Sequence, residues 1–131
     1  MKKDIHFPKV EGVFVAIGRQ KDEINHEYAY SVFLINQNDF PIESILVNAS
    51  GYSEQHKTST LRQFIKALAG KSAVKIEAIH AELFDLVNQF WVSYYVDGKI
   101  YDKKFLFMPE SITEDNFAYI DLIEQEGVLH A

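Results

Sequence analysis

His80-Ala81-Glu82 has the H-x-E spacing in which a deaminase histidine binds zinc while its glutamate shuttles protons. That chemistry also needs a P-C-x-x-C partner, and the chain contains no cysteine. Ser72-Ala73-Val74-Lys75 has the S-x-x-K spacing of a serine nucleophile with a lysine one helical turn away. Here the tetrapeptide enters a strand-like run, whose alternation sends Ser72 and Lys75 to opposite faces, and no S-D-N follows. The histidines, at positions 6, 26, 56, 80 and 130, never reach a metal spacing such as H-x₃-H and read as surface or satisfied groups. Carboxylates for glycoside chemistry would have to come from Asp97, Asp102, Glu110 or Glu114, and nothing in the sequence sets their separation. No phosphate-cradling glycine motif occurs among the six glycines. The linear sequence therefore assigns no catalytic residue, cofactor or metal site, and the reading leans away from an enzyme.

The most informative segment is instead 90–108, FWVSYYVDGKIYDKKFLFM, two apolar runs joined by Asp97-Gly98. Both joining residues tolerate positive φ, so the pair predicts a hairpin with a two-residue type I′ turn. That turn sets Val96 against Lys99, Tyr94 against Tyr101, Val92 against Lys103 and Phe90 against Phe105. One face then collects Phe90, Val92, Tyr94, Tyr101, Phe105 and Phe107, and is the more apolar. The other carries Trp91, Tyr95, Ile100 and Leu106 beside Lys104 and Asp102. An outward face of that kind needs a cover, since soluble monomers rarely expose so large an apolar patch.

Upstream, GVFVAIG (12–18), YAYSVFLIN (28–36), IESILVNASGY (42–52) and AVKIEAI (73–79) read as strands punctuated by polar, turn-forming stretches. Residues 58–68 are ambiguous: Leu61, Phe64, Ile65 and Leu68 lie at helical spacing behind a Thr60–Gln63 capping box, yet TSTLRQFI also alternates. Its neighbours tilt it to strand. HAELFDLVNQ (80–89) predicts a short helix or crossover loop. Beyond Pro109, the Ser111–Glu114 capping box and the stripe Phe117, Ile120, Ile123 predict a terminal helix ended by Gly127.

One domain accounts for 131 residues of globular composition, 47% hydrophobic and 24% charged. No signal-peptide core or membrane-length apolar run is present, and cysteine is absent, so cytoplasm is the expected compartment. The sequon Asn48-Ala49-Ser50 is then without consequence. All 13 basic residues lie within 1–104, balanced by 13 of the 19 acidic ones. The net charge of −6 therefore comes entirely from Glu110, Glu114, Asp115, Asp121, Glu124 and Glu126. A neutral body with an acidic end lacks the basic footprint of a nucleic-acid binder and reads as a solvated edge.

About seven short strands with regular turn signals predict a mainly β, antiparallel sandwich with one or two short helices. Three segments resemble an immunoglobulin-like or fibronectin-like sandwich over about residues 10–108. YSVFLINQNDFPIESILVNASGY matches a B–C pair, LAGKSAVKIEAI the entry to strand E, and FWVSYYVDGKIYDKKFLFM an F–G pair. The Cys…Trp…Cys signature of antibody domains is missing. The chain also resembles a group of small uncharacterised bacterial proteins, some carrying a name borrowed from the phenylalanyl-tRNA synthetase alpha subunit. It is too short for a synthetase core and has no corresponding motif.

The acidic segment 109–131 is expected to pack on the sandwich, with Phe117, Ile120, Leu122 and Ile123 as a cover for the second hairpin face. Where that cover fails, the face predicts a protein partner or a second copy, with Trp91 and Tyr95 as anchors and Lys103, Lys104, Tyr94 and Tyr101 as polar handles. The expected role is a non-enzymatic interaction or assembly module. The competing expectation is a small-molecule-binding protein or enzyme, with a pocket at one end of the sandwich near Tyr52, His56 and Arg62.

Overall fold

The computed structural model describes residues 8–55, 57–58 and 60–130. These form nine strands: β1 (Val13–Lys21), β2 (Tyr28–Asn36), β3 (Ile42–Tyr52), β4 (Leu61–Leu68), β5 (Ser72–Ile79), β6 (Val87–Val96), β7 (Lys99–Phe107), β8 (Ala118–Ile120) and β9 (Gln125–His130). Two antiparallel sheets result, a five-stranded one ordered β5-β2-β1-β9-β8 and a four-stranded one ordered β4-β3-β6-β7. Among the described residues no helix is long and apolar enough to cross a membrane.

The sheets meet because each strand alternates. Val13, Val15 and Ile17 of β1 and Val32 and Leu34 of β2 share one core with Ile45 and Val47 of β3 and with Phe90, Val92 and Phe105 of the hairpin. Burial of these side chains supplies the driving force, at about 25 cal/mol per Å² of apolar surface. Asn36, fully buried, closes one end: its amide donates to the carbonyls of Phe40, Leu68 and Ala69, while its Oδ1 accepts from the Asn38 N–H. The turn after β2 and the end of β4 are thereby tied together.

The hairpin has the expected register, Phe90 opposite Phe105 through Val96 opposite Lys99. Asp97 and Gly98 both hold positive φ, 50° and 78°. The more apolar face points inward. Residues 61–68 are a strand, as the tilt of their neighbours indicated, so the Thr60–Gln63 capping box does not form. The segment 80–89 becomes a 3₁₀ turn over Ala81–Asp85 followed by the start of β6.

The C-terminal helix is the main correction. Residues 109–123 make three short 3₁₀ turns and β8, and Glu124, in the left-handed region at φ 53°, reverses the chain into β9. The Ser111 hydroxyl donates to the Met108 carbonyl, and Glu114 bonds Arg19, so the second capping box is absent too. The stripe Phe117, Ile120, Ile123 splits between two clusters: Phe117 packs on the main core, while Ile120 and Ile123 join a separate one. Residues 118–130 thus do more than pack on the sandwich, because β9 pairs with β1 along Val15–Arg19 and lies inside the five-stranded sheet.

The cover is displaced as well. Ile120, Leu122 and Ile123 lie on the outer face of the five-stranded sheet, with Ala16, Ile35, Phe14 and Phe33. The outer face of the hairpin is left without the segment expected to roof it, and Trp91 and Tyr95 are each 42% exposed.

Candidate functional site

Strand register builds the outer face of the four-stranded sheet in rows. One row runs Arg62 of β4, Asn48 of β3, Trp91 of β6 and Lys104 of β7. The next runs Phe64, Leu46, Ser93 and Asp102. Tyr95 sits between Glu43 and Ile100 at the turn end. The Trp91 indole N–H donates to Asp102 Oδ1 at 2.8 Å, and the Ser93 hydroxyl donates to the same oxygen. Lys104 Nζ stands 4.9 Å from the Trp91 ring centroid, while Arg62 Nε donates to Asn48 Oδ1 at 3.0 Å. The Trp91 ring is therefore held in one orientation by Asp102 at its N–H and by Lys104 near its face.

Trp91, Tyr95, Ile100, Leu106 and Lys104 occupy this face as expected. Tyr94, Tyr101 and Lys103 do not serve it, since alternation turns them inward. Tyr94 is buried and stacks on Tyr101 at 5.1 Å with nearly parallel rings, and Lys103 lies over Phe105. Burial pushes the Tyr94 phenol well above its ordinary value, so it stays a hydrogen-bond donor. Sequence reading missed Phe64, 64% exposed, and Leu46. The alternation Arg62, Phe64, Lys66 carries the signal, but the competing helical spacing of 61–68 masked it.

Of the three residues around which a pocket was expected, Tyr52, His56 and Arg62, two are described. Arg62 lies on the outer face, Tyr52 ends β3 opposite Val87, and His56 falls outside the described residues. A cavity of about 280 Å³ does open nearby, between the β5 edge and the ends of β3 and β6, with Gly51, Thr58, Leu61, Glu77 and Asn88 among its lining. Burial raises the Glu77 carboxyl above its ordinary value.

A third cluster links distant segments. The Arg19 guanidinium, 7% exposed, pairs with Glu114 and Glu126 and lies between the rings of Tyr28 (4.4 Å) and Phe117 (4.2 Å). Two of the six acidic residues behind the net charge are thus engaged internally. These partners lie 95 and 107 residues from Arg19, a separation that no local pattern reveals.

No protein-family model, curated protein or solved structure matches the chain.

Proposed function

We propose that this protein is a non-enzymatic interaction module that docks a protein partner through the outer face of its four-stranded sheet. One observation carries the reading: the C-terminal segment covers the opposite sheet and leaves Trp91, Tyr95, Phe64 and Ile100 at 36–64% exposure on one continuous face. Large aromatic side chains are the enriched anchors of protein interfaces. The cations Arg62 and Lys104 flank Trp91 in its row, which favours a partner that sets carboxylates around an apolar centre. Lys99, Lys103 and Lys104 lie on the edge strand β7, a composition that discourages pairing through that edge.

The architecture is read as immunoglobulin-like or fibronectin-like. In support, β1, β2 and β5 share one sheet, as strands A, B and E do, while β3, β6 and β7 share the other, as C, F and G do. β4 pairs with β3, where an immunoglobulin D strand would pair beside E, and β9 and β8 extend the free edge of β1. Such sandwiches host many unrelated functions, so the interaction reading rests on the face and not on the fold.

Trp91 is the sole tryptophan, so its emission reports on this face directly. Binding of the partner should shift that emission to the blue and protect it from acrylamide. Trp91→Ala with Tyr95→Ala should keep the unfolding free energy within about 1 kcal/mol and abolish quantitative recovery of the partner. Undiminished recovery by that double variant, with oligomeric state also unchanged, sinks the proposal.

A further inference from the structure

We infer that the cavity beside β5 is a second binding site, for a small organic cation of the alkylammonium or cycloalkylammonium class. Its N–H groups would be taken by Glu77 and Asn88, and its hydrocarbon body would lie on Leu61, Ile79, Leu83 and Phe90, all of which line the space. This goes beyond the docking face, which lies on the other side of the four-stranded sheet.

The strand geometry puts the carboxylate there. β5 pairs with β2 with a register shift, Glu77 opposite Val32 and Lys75 opposite Phe33, so Ile76 is an extra residue. Val32 points into the core, and its partner Glu77 is turned the same way, toward the gap between the sheets. Bulges re-aim side chains in this manner and recur beside functional sites. An inward acid is costly unless something pairs with it. Among the described residues the Glu77 carboxylate has no ion pair or hydrogen bond, and Glu77 is the only ionisable group lining the cavity.

The neighbouring polar side chain is also an acceptor. Asn88, 4% exposed, gives its amide hydrogens to the carbonyls of Leu83 and Leu86, which leaves Oδ1 as the group it offers. A carboxylate and an amide oxygen over apolar walls select a ligand rich in N–H donors with a hydrocarbon body. A divalent metal would need further carboxylates or imidazoles around Glu77, and an anion would need a cation. The volume, about 280 Å³, lies at the low end for small-molecule pockets and suits a ligand of a few heavy atoms.

Titration of the full chain with cyclohexylamine at pH 7, followed by amide and carboxylate NMR, tests the inference. Cyclohexanol is the neutral control of the same shape. The amine should give saturable shifts at Gly51, Ala78 and Ile79 and lower the apparent pKa of Glu77, while the alcohol gives neither. Glu77→Gln, which keeps the side-chain volume, should weaken amine binding by about tenfold or more while leaving a folded spectrum. Leu83→Ala, which keeps the carboxylate, should also weaken it by removing a wall. Equal affinity for amine and alcohol, unchanged affinity in Glu77→Gln, or no saturable shift each overturns the proposal.

Discussion

Three charged residues take opposite energetic positions. Among the described residues Arg19 is the only buried charged side chain, and it bonds two carboxylates from the far end of the chain. Arg19→Met keeps much of the stem between Tyr28 and Phe117 but removes the charge-assisted bonds and the cation–ring contacts. The guanidinium is sealed near the surface and its partners reach solvent. The loss in urea denaturation should therefore be about 2 kcal/mol, less than for breaking a deeply buried pair. Glu114 is held below the ordinary carboxylate range by its hydrogen bond from Arg19. Its contribution is present above the unfolded pKa and is lost as pH falls through the depressed folded value. Glu77 has the reverse sign, because burial raises its folded pKa and ionisation at neutral pH costs stability. Melting temperatures against pH should therefore diverge in opposite directions for the two variants. Glu77→Gln should melt above the wild type at pH 7, with the gap closing as pH falls through the raised folded value of Glu77 and gone below its unfolded value. Glu114→Gln should melt below it, with the gap closing in acid. A stability gain on removing Glu77 is the signature of a group kept at a thermodynamic cost.

At the scale of elements, turn chemistry separates two glycines. A Cβ on Gly98 would meet nothing within 4 Å, so Gly98→Ala tests backbone strain alone at φ 78° and should cost about 1 kcal/mol. At Gly70 a Cβ would sit 2.6 Å from the Asp39 carbonyl carbon and 2.8 Å from the Asn38 oxygen, both backbone. Gly70→Ala must therefore shift the 37–41 turn, and should cost about 2 kcal/mol or more by chemical denaturation. A smaller effect at Gly70 than at Gly98 would show that this turn yields freely. The elements also show where local pattern fails. The hairpin was legible because alternation and Asp97-Gly98 specify the same pairing. The stripe Phe117, Ile120, Ile123 misled because helical spacing in so short a segment also fits an irregular chain whose side chains enter different clusters.

For the molecule as a whole, the two C-terminal strands of the five-stranded sheet, β8 and β9, are an integral part of the fold. β9 satisfies the β1 backbone from Val15 to Arg19, Ile123 and Ile120 cover the outer face, and Glu126 holds Arg19. A chain ending at Phe117 should consequently lose cooperative unfolding and near-ultraviolet dichroism, while its own β6–β7 hairpin retains far-ultraviolet strand signal. Retention of a sharp two-state transition would show that the first seven strands suffice. The sequence by itself determined the strand class, most strand positions, the hairpin register and the membership of each hairpin face, because these follow from side-chain alternation and turn dihedrals within a few residues. Only the tertiary structure decided which distant segment lies on which face. The C-terminal residues could bury their apolar side chains on either sheet, and the choice depended on the free edge of β1, the Arg19 pairing and the surface they cover together. That choice left Trp91 and Tyr95 without a cover, and a register shift between β5 and the distant β2 turned Glu77 inward, so both candidate sites are products of long-range packing.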